Sequence, residues 1–194
     1  APVPRRAAGL QGVRRSDRIA LALPNGPEMA AAFLGVAAVA VCAPLNPVYS
    51  RNEFEFYLSD LNAKALLVQT GSASAAVAAA EKLGIPVLEL GPNGGEPAGA
   101  FALSDNRPAQ TSRDSVPQAD DVALILHTSG TTSRAKRVPL THINLVASAG
   151  NIASALQLTQ ADRCLNVMPL FHIHGLVGAL LSSLAAGAGV FCTS

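Results

Sequence analysis

Residues 18–47 read RIALALPNGPEMAAAFLGVAAVAVCAPLNP, and this stretch decides the fold class. The apolar run over 18–25 ends in proline and asparagine, which predicts a short buried strand. Pro27 suits the first position of a helix, Glu28 suits the positive end of a helix, and the alanines that follow favour continuation. The segment CAPLNP at 42–47 indicates the end of a second strand and a turn. A strand, a helix and a strand therefore follow one another within thirty residues.

The same alternation continues along the rest of the chain. Ser50 and Glu53 form a capping box at the start of a predicted helix, and a later helix is predicted to stop at Gly84. Thr141 is predicted to cap a further helix. Alternating strands and helices predict an α/β fold with parallel-rich sheets and crossover helices.

The composition is typical of a folded protein whose cysteines are reduced. Of the 194 residues, 49% are hydrophobic and 14% are charged, far from the composition of disordered chains. The net charge of +1 gives no reason to expect a nucleic-acid partner. Three cysteines without a CxxC spacing favour a reducing, cytoplasmic location, and no signal peptide is visible. The apolar stretches that begin at Met29 and Gly175 are interrupted, so we predict no transmembrane segment.

Glycine, proline and polar residues from 91 to about 120 show little periodicity, which predicts a long surface connection. We therefore divide the chain into a first α/β segment (1–90), this connection (91–120) and a segment with a candidate ligand loop (121–194).

The candidate loop, HTSGTTSRAKRVPLTH at 127–142, follows the predicted strand VALIL. Ligands gather beyond the carboxyl ends of strands in α/β sheets. Gly130 allows a tight turn that brings backbone N–H groups near a ligand, the hydroxyls add hydrogen bonds, and Lys136 adds a positive charge. The pattern indicates a polyphosphate ligand. The candidate ligand-binding residues are Thr128, Ser129, Gly130, Thr131, Thr132, Ser133 and Lys136.

The loop has three other interpretations. A Walker loop requires Gly-x-x-x-x-Gly-Lys-Ser/Thr, whereas Lys136 stands between Ala135 and Arg137. A hydrolase nucleophile at Ser129 would sit in Gly-x-Ser-x-Gly, which TSGTT does not match. A Ser/Thr-rich turn that binds nothing stays open on composition alone.

Three segments, in order, resemble the adenylate-forming superfamily, which comprises acyl-CoA synthetases, luciferases and peptide-synthetase adenylation domains. LILHTSGTTSRAKRVPLTHINL is similar to its phosphate-binding signature, Ser/Thr-Ser-Gly-Thr-Thr-Gly-x-Pro-Lys-Gly. MPLFHIHGLV is similar to its second core motif, and the stretch from LPNGPEM to AKALLV is similar to its N-terminal segment. The resemblance implies part of the large N-terminal AMP-binding domain, closest to oxalate–CoA or fatty-acid–CoA ligases, without the C-terminal lid domain.

The chain departs from the signature at three positions. Ser133 replaces the second glycine and is similar to the SGTTSRPK form of oxalate–CoA ligase-like members. Ala135 replaces proline and removes a fixed φ angle. Arg137 replaces the last glycine, and the sequence leaves open whether it neutralises phosphate or reduces loop mobility.

The resemblance assigns a second site to PLFHIHG. His172 occupies the position of the residue that orients the carboxylate, and an imidazole can donate a hydrogen bond there without a fixed charge. We take Lys136 and His172 as the candidate catalytic residues. His172 and His174 form a His-x-His pair, but no acidic or cysteine ligand is nearby, so no metal site is predicted.

The reaction implied by the resemblance has two steps. A carboxylic acid, oxalate or a fatty acid, attacks Mg²⁺-bound ATP to form acyl-AMP and pyrophosphate, and coenzyme A then displaces AMP. The Tyr-Gly-x-Thr-Glu stretch, the ribose-binding aspartate and the C-terminal lysine are absent. We therefore expect an N-terminal fragment with little turnover of its own. A non-catalytic nucleotide-binding fragment and an adenylating enzyme that does not use coenzyme A stay as alternatives.

Overall fold

The computed structural model describes residues 13–92, 97–103, 117–128 and 135–193. The strands in those ranges are β1 (Arg18–Ala22), β2 (Val41–Pro44), β3 (Ala65–Gln69), β4 (Val87–Pro92), β5 (Phe101–Leu103), β6 (Val122–Thr128), β7 (Lys136–Thr141), β8 (Arg163–Asn166) and β9 (Gly189–Cys192). The helices are α1 (Pro27–Ala37), α2 (Arg51–Leu61), α3 (Ala75–Leu83), α4 (His142–Ala155), a π-helix (His174–Leu181) and the single turn α5 (Ser182–Ala185).

Seven of these strands form one sheet in the order β5-β4-β3-β1-β2-β6-β7. The five inner strands run parallel, because helices cross over between them, while β5 and β7 pair antiparallel at the two edges. The pairing of β2 with β6 joins the sequence before the long connection to the sequence after it. Strands β8 and β9 form a separate parallel pair. The predicted α/β fold with crossover helices is confirmed.

The helix boundaries follow the signals seen in the sequence. Pro27 lies at the start of α1, and Ser50 forms the capping box of α2 with Glu53. Helix α3 ends at Gly84, whose φ of 66° is left-handed and suits glycine. Thr141 caps α4, and Asn144 completes that capping box.

Two strands were not predicted. Strand β5 lies inside the stretch predicted as an irregular connection, so that prediction was wrong at 101–103; residues 104–116 lie outside the described part of the chain. Strand β7 contains Pro139 and lacks apolar alternation. Both are edge strands, where one side needs no pairing and where proline is tolerated.

Two apolar layers cover the two faces of the seven-stranded sheet. Alternate strand residues such as Ile19 and Leu21 pack with α1, α4 and the π-helix on one face. Ala20, Leu66 and their neighbours pack with α2 and α3 on the other. The hairpin of β6 and β7 thus lies between α2 on one side and α4 with the π-helix on the other. Among the described helices, none has the length and hydropathy required to span a bilayer.

Candidate functional site

The predicted ligand loop joins β6 to β7 at one edge of the sheet. Thr128 and Lys136 are cross-strand partners and form the last pair of this hairpin before residues 129–134. The hydroxyl of Thr128 donates to the carbonyl oxygen of Lys136 across a distance of 3.5 Å. Because β6 is parallel to β2, the hairpin ends at the carboxyl edge of the sheet, as the sequence predicted. The other predicted loop residues, Ser129, Gly130, Thr131, Thr132 and Ser133, lie outside the described residues.

The two adjacent cations that follow this loop lie on opposite faces of β7. Successive strand residues point to opposite faces, so Lys136 shares a face with Val138 and Leu140. Val138, Leu140 and Thr128 line a groove on that face. Arg137 points instead toward α2, where its guanidinium contacts Asp60.

The groove has a volume of about 720 Å³ and lies between the hairpin, α4 and the π-helix. Its walls are mostly apolar, and its polar groups come from histidine, threonine, serine and asparagine side chains. His172 and Thr128 both line it, so the two predicted half-sites share one cavity. The lining residues are Leu126, His127, Thr128, Val138, Leu140, Asn144, Leu145, Ser148, Ile152, Leu156, Phe171, His172, Ile173, His174, Val177 and Gly178.

Asn25 holds the loop that carries His172 against the end of β1. Its side-chain oxygen accepts a hydrogen bond from the backbone N–H of Leu170 at 2.8 Å. Its amide nitrogen donates to the carbonyl oxygen of Met168 at 3.3 Å. Sequence reasoning missed this role, although an asparagine directly after a buried strand and a proline was an available signal.

Asn166 and Gly175 fix the same loop from its two ends. Asn166 is 2% exposed; its amide donates to the carbonyl oxygen of Gly175 at 3.1 Å and its oxygen accepts from the N–H of Met168 at 3.1 Å. A β-carbon at Gly175 would clash with the carbonyl oxygen of Pro169 and would lie 2.9 Å from that of Met168. Sequence reasoning also missed these two residues, since their role depends on a close approach that no local pattern encodes.

His172 is exposed in the groove, and its ring centroid lies 4.6 Å from that of Phe171. The ring of His174 lies over Gly178, where a β-carbon would come within 3.3 Å of it. In the described ranges, no three histidine, cysteine, aspartate or glutamate side chains gather in a way that would hold a metal ion. His172 and His174 both line the groove, so their ring N–H groups can donate hydrogen bonds to an acid bound there.

His127 borders the groove, but its ring points to the α2 face of β6, where Nε2 is 3.1 Å from Oδ2 of Asp60. Burial lowers the pKa of His127, and the neighbouring Asp60 carboxylate partly opposes that shift. The ring is therefore predominantly neutral at pH 7, with a carboxylate beside it.

Residues 3–194 match the family model of the AMP-binding enzymes. The chain is 46% identical over 184 residues to the probable CoA ligase CCL9 of Humulus lupulus. It is 46% identical over 182 residues to an oxalate–CoA ligase of Arabidopsis thaliana. Each alignment covers 92% of this chain and 35% of the relative, so the chain spans about a third of the length of these relatives.

The fold is also similar to solved structures. ATP-bound MatB from Rhodopseudomonas palustris has a TM-score of 0.73 and 29% identity to this chain. That comparison covers 92% of this chain and 35% of the other.

Proposed function

The chain belongs to the AMP-binding enzyme family, as its motifs predicted, and we propose that it contributes to the activation of a carboxylic acid by ATP in an acid–thiol ligase. In the proposed reaction the carboxylate attacks the α-phosphorus of ATP, which yields acyl-AMP and pyrophosphate. The thiol of coenzyme A then displaces AMP and forms the thioester. Because the chain spans about a third of its relatives, this activity is a proposal for the whole protein.

One observation carries the proposal: a candidate phosphate-binding residue, Thr128, and the candidate carboxylate-binding residue, His172, line the same groove. Lys136 lies on the groove face of β7. A reaction between an acid and a nucleotide requires the two binding sites to adjoin, and holding the reactants together supplies much of the rate enhancement.

In this proposal the hairpin end receives the β- and γ-phosphates of ATP. Thr128 and Lys136 are both exposed there, and the sheet's carboxyl edge leaves their polar groups free of core packing. Lys136 offsets phosphate charge, which increases on pyrophosphate as it leaves. The proposed phosphate-binding residues are Thr128, Ser129, Gly130, Thr131, Thr132, Ser133 and Lys136.

His172 takes the acid in the same proposal. Its ring N–H is a hydrogen-bond donor that can orient a carboxylate oxygen of the acid. Asn25, Asn166 and Gly175 act as positioning residues because they fix the loop that carries His172.

Oxalate is the first acid we propose, since one relative is named an oxalate–CoA ligase. The mostly apolar walls of the groove also favour an acid with an apolar chain, so fatty acids are the second class. Coenzyme A is the proposed acceptor because the relatives are CoA ligases. Mg²⁺ is proposed to accompany ATP, and no described residue is assigned as its ligand.

A cytoplasmic location is proposed on the state of the cysteines. Cys42, Cys164 and Cys192 are all free thiols, which suits a reducing compartment.

The proposal is tested by product analysis with the protein expressed to the natural end of its reading frame. Protein, Mg-ATP and either oxalate or a C8–C16 fatty acid are incubated with and without coenzyme A, and products are identified by mass spectrometry. We expect an acyl-adenylate without coenzyme A and an acyl-CoA with it. ATP binding without either product would instead support a non-catalytic nucleotide-binding protein, and an adenylate that never becomes an acyl-CoA would support the enzyme class without coenzyme A.

Lys136→Met tests the assigned phosphate contact. Loss of one charged hydrogen bond to phosphate is expected to raise the KM for ATP about 10- to 100-fold. Lys82→Met is the matched control, because Lys82 pairs with Glu55 on α2 and lies outside the groove. An unchanged KM in Lys136→Met would remove this residue from the site.

A further inference from the structure

We infer that Asp60, His127 and Arg137 form a clasp one residue pair from the loop end of the β6–β7 hairpin, and that Arg137 is a positioning residue for the phosphate site rather than a phosphate ligand. The inference rests on the function proposed above, since it assigns a role to a residue that adjoins that site. It resolves the question that the sequence left open about Arg137.

One carboxylate contacts both strands of the hairpin. Asp60 lies in the last turn of α2, and its Oδ2 atom is 3.1 Å from Nε2 of His127 on β6. The same oxygen is 3.2 Å from Nε of Arg137 on β7. A second nitrogen of Arg137, Nη1, donates to the backbone carbonyl oxygen of Asp60 at 3.1 Å. Two nitrogens of the guanidinium therefore contact the same residue of α2, Asp60.

The register of the hairpin places this clasp one residue pair away from Thr128 and Lys136 of the candidate site. His127 and Arg137 are cross-strand partners, and the next pair is Thr128 with Lys136. Side chains of adjacent pairs point to opposite faces of the sheet. An anion held by Thr128 and Lys136 on the groove face is therefore on the other side of the hairpin from the guanidinium of Arg137.

Aromatic packing fixes the histidine of the clasp. The side chain of His127 is 5% exposed, and its ring centroid lies 4.7 Å from that of Tyr57. Tyr57 in turn stacks on Tyr49 at 4.9 Å. The charged pair alone, with Arg137 46% exposed, would contribute little. The buried ring of His127 and the hydrogen bond from Arg137 to the backbone carbonyl of Asp60 give this ion pair a defined geometry.

Arg137 also borders a second groove of about 400 Å³, where its guanidinium would face any anion bound there. Arg15 and Arg18 line this groove, but so do Asp120 and Asp121. Arg15 pairs with Asp121 at 3.2 Å, and Arg18 donates to the carbonyl oxygen of Leu61. The cations of this groove therefore already have partners, which favours the clasp.

Hydrogen exchange of the ligand-free chain tests the clasp without any assumption about ATP. Arg137→Ala and Asp60→Asn are each expected to speed amide exchange in residues 126–128 and 136–138 about three- to fivefold. The double variant is expected to exchange no faster than either single variant, because both remove the same contact. Unchanged exchange in both single variants would overturn the clasp.

Steady-state kinetics of the protein expressed to the natural end of its reading frame test the role of Arg137. As a positioning residue, Arg137→Ala and Asp60→Asn should raise the KM for ATP by the same factor, about threefold to fivefold, with kcat changed less than twofold. Arg137→Lys should recover only part of the KM lost in Arg137→Ala, since it keeps the ion pair with Asp60 but cannot reproduce the second contact to the backbone carbonyl of Asp60. If Arg137 bound phosphate, Asp60→Asn would release the guanidinium and lower the KM, and that opposite sign would refute the inference.

Arg15→Ala is the matched control for loss of a positive charge, since Arg15 contacts Asp121 and not the hairpin end. It should leave the KM for ATP unchanged. Failure of the wild-type protein to use ATP would overturn the proposed function and the kinetic role of Arg137, whereas the exchange rates would still decide whether the clasp holds the hairpin.

Discussion

At the scale of single residues, the function of a side chain in this fold depends on which face of a strand it occupies. Lys136 and Arg137 are adjacent and carry the same charge, yet one faces the groove and the other contacts Asp60. Sequence analysis identified both cations but could not tell which one faces the groove, because no strand was predicted at 136–141. Once the strand is known, alternation separates them.

Gly175→Ala is predicted to weaken binding of the acid, because it displaces the loop that carries His172. A β-carbon at Gly175 would meet the carbonyl oxygens of Pro169 and Met168, so the loop that carries His172 must shift. We expect the KM for the acid to rise about tenfold or more, because displacement of a positioned group by about 1 Å can cost two orders of magnitude. Steady-state kinetics with acid as the varied substrate provide the measurement.

Gly150→Ala is the control for this change. Gly150 lies in α4, and a β-carbon there meets no atom within 4 Å. It should leave the KM for the acid unchanged and should stabilise the helix by about 1 kcal/mol. Equal effects of the two substitutions on the KM would show that the loop tolerates the displacement.

His127 is predicted to make stability depend on pH in the weakly acidic range. Burial holds the pKa of His127 below its ordinary value near 6.5, so between the folded and unfolded pKa values the unfolded chain binds the extra proton. Its contribution to stability is therefore present above about pH 6.5 and is lost as the pH falls through the folded pKa. Asp60, Arg137 and Tyr57 are the polar or charged side chains that face it.

Urea unfolding from pH 7.5 to pH 5 checks this prediction. Wild-type protein should lose stability more steeply than His127→Asn, which cannot titrate in that range. If the free energy of unfolding fell equally with pH in the two proteins, His127 would not be the group that makes stability depend on pH.

At the scale of elements, two helices that both begin at a serine differ in how that serine is used. Ser50 caps α2 through reciprocal bonds with Glu53, whereas the hydroxyl of Ser74 at the start of α3 is buried and has no hydrogen-bond partner in the described residues. Ser50→Ala should therefore reduce the free energy of unfolding by about 1 kcal/mol. Ser74→Ala should be neutral or stabilising, because it removes an unsatisfied buried hydroxyl. Denaturant midpoints that fall equally in the two variants would contradict this distinction.

The elements also show which parts of the fold a sequence encodes locally. Helix α2 was predictable because its capping box and apolar face lie within a dozen residues, and β1 because it is buried on both faces. Strands β5 and β7 were not, since edge strands take their structure from a neighbour across the sheet rather than from their own pattern. The segment His174–Leu181 was predicted as a helix, but its π-helical geometry was not predicted, since π-helices are rare.

At the scale of the whole molecule, the carboxyl edge of the sheet brings the site together. Asn25, which follows β1, holds the loop after β8 through two hydrogen bonds. The Thr128–Lys136 end of the β6–β7 hairpin lies at the same carboxyl edge of the sheet. The motifs and their order are visible in the sequence, and their placement at the ends of strands could be predicted from it. Their convergence on one groove could not, because it depends on strand order and on hydrogen bonds between residues more than 140 positions apart.

We propose that this groove binds the acid and the ATP that react, and acid-dependent exchange of labelled pyrophosphate into ATP tests this proposal most directly. The protein expressed to the natural end of its reading frame is assayed with oxalate, with C8–C16 fatty acids and without acid. We expect exchange that requires one of these acids and that falls about tenfold or more in His172→Ala, since that variant loses the proposed hydrogen bond to the carboxylate. A folded protein that binds ATP but shows no exchange with any acid would contradict the claim.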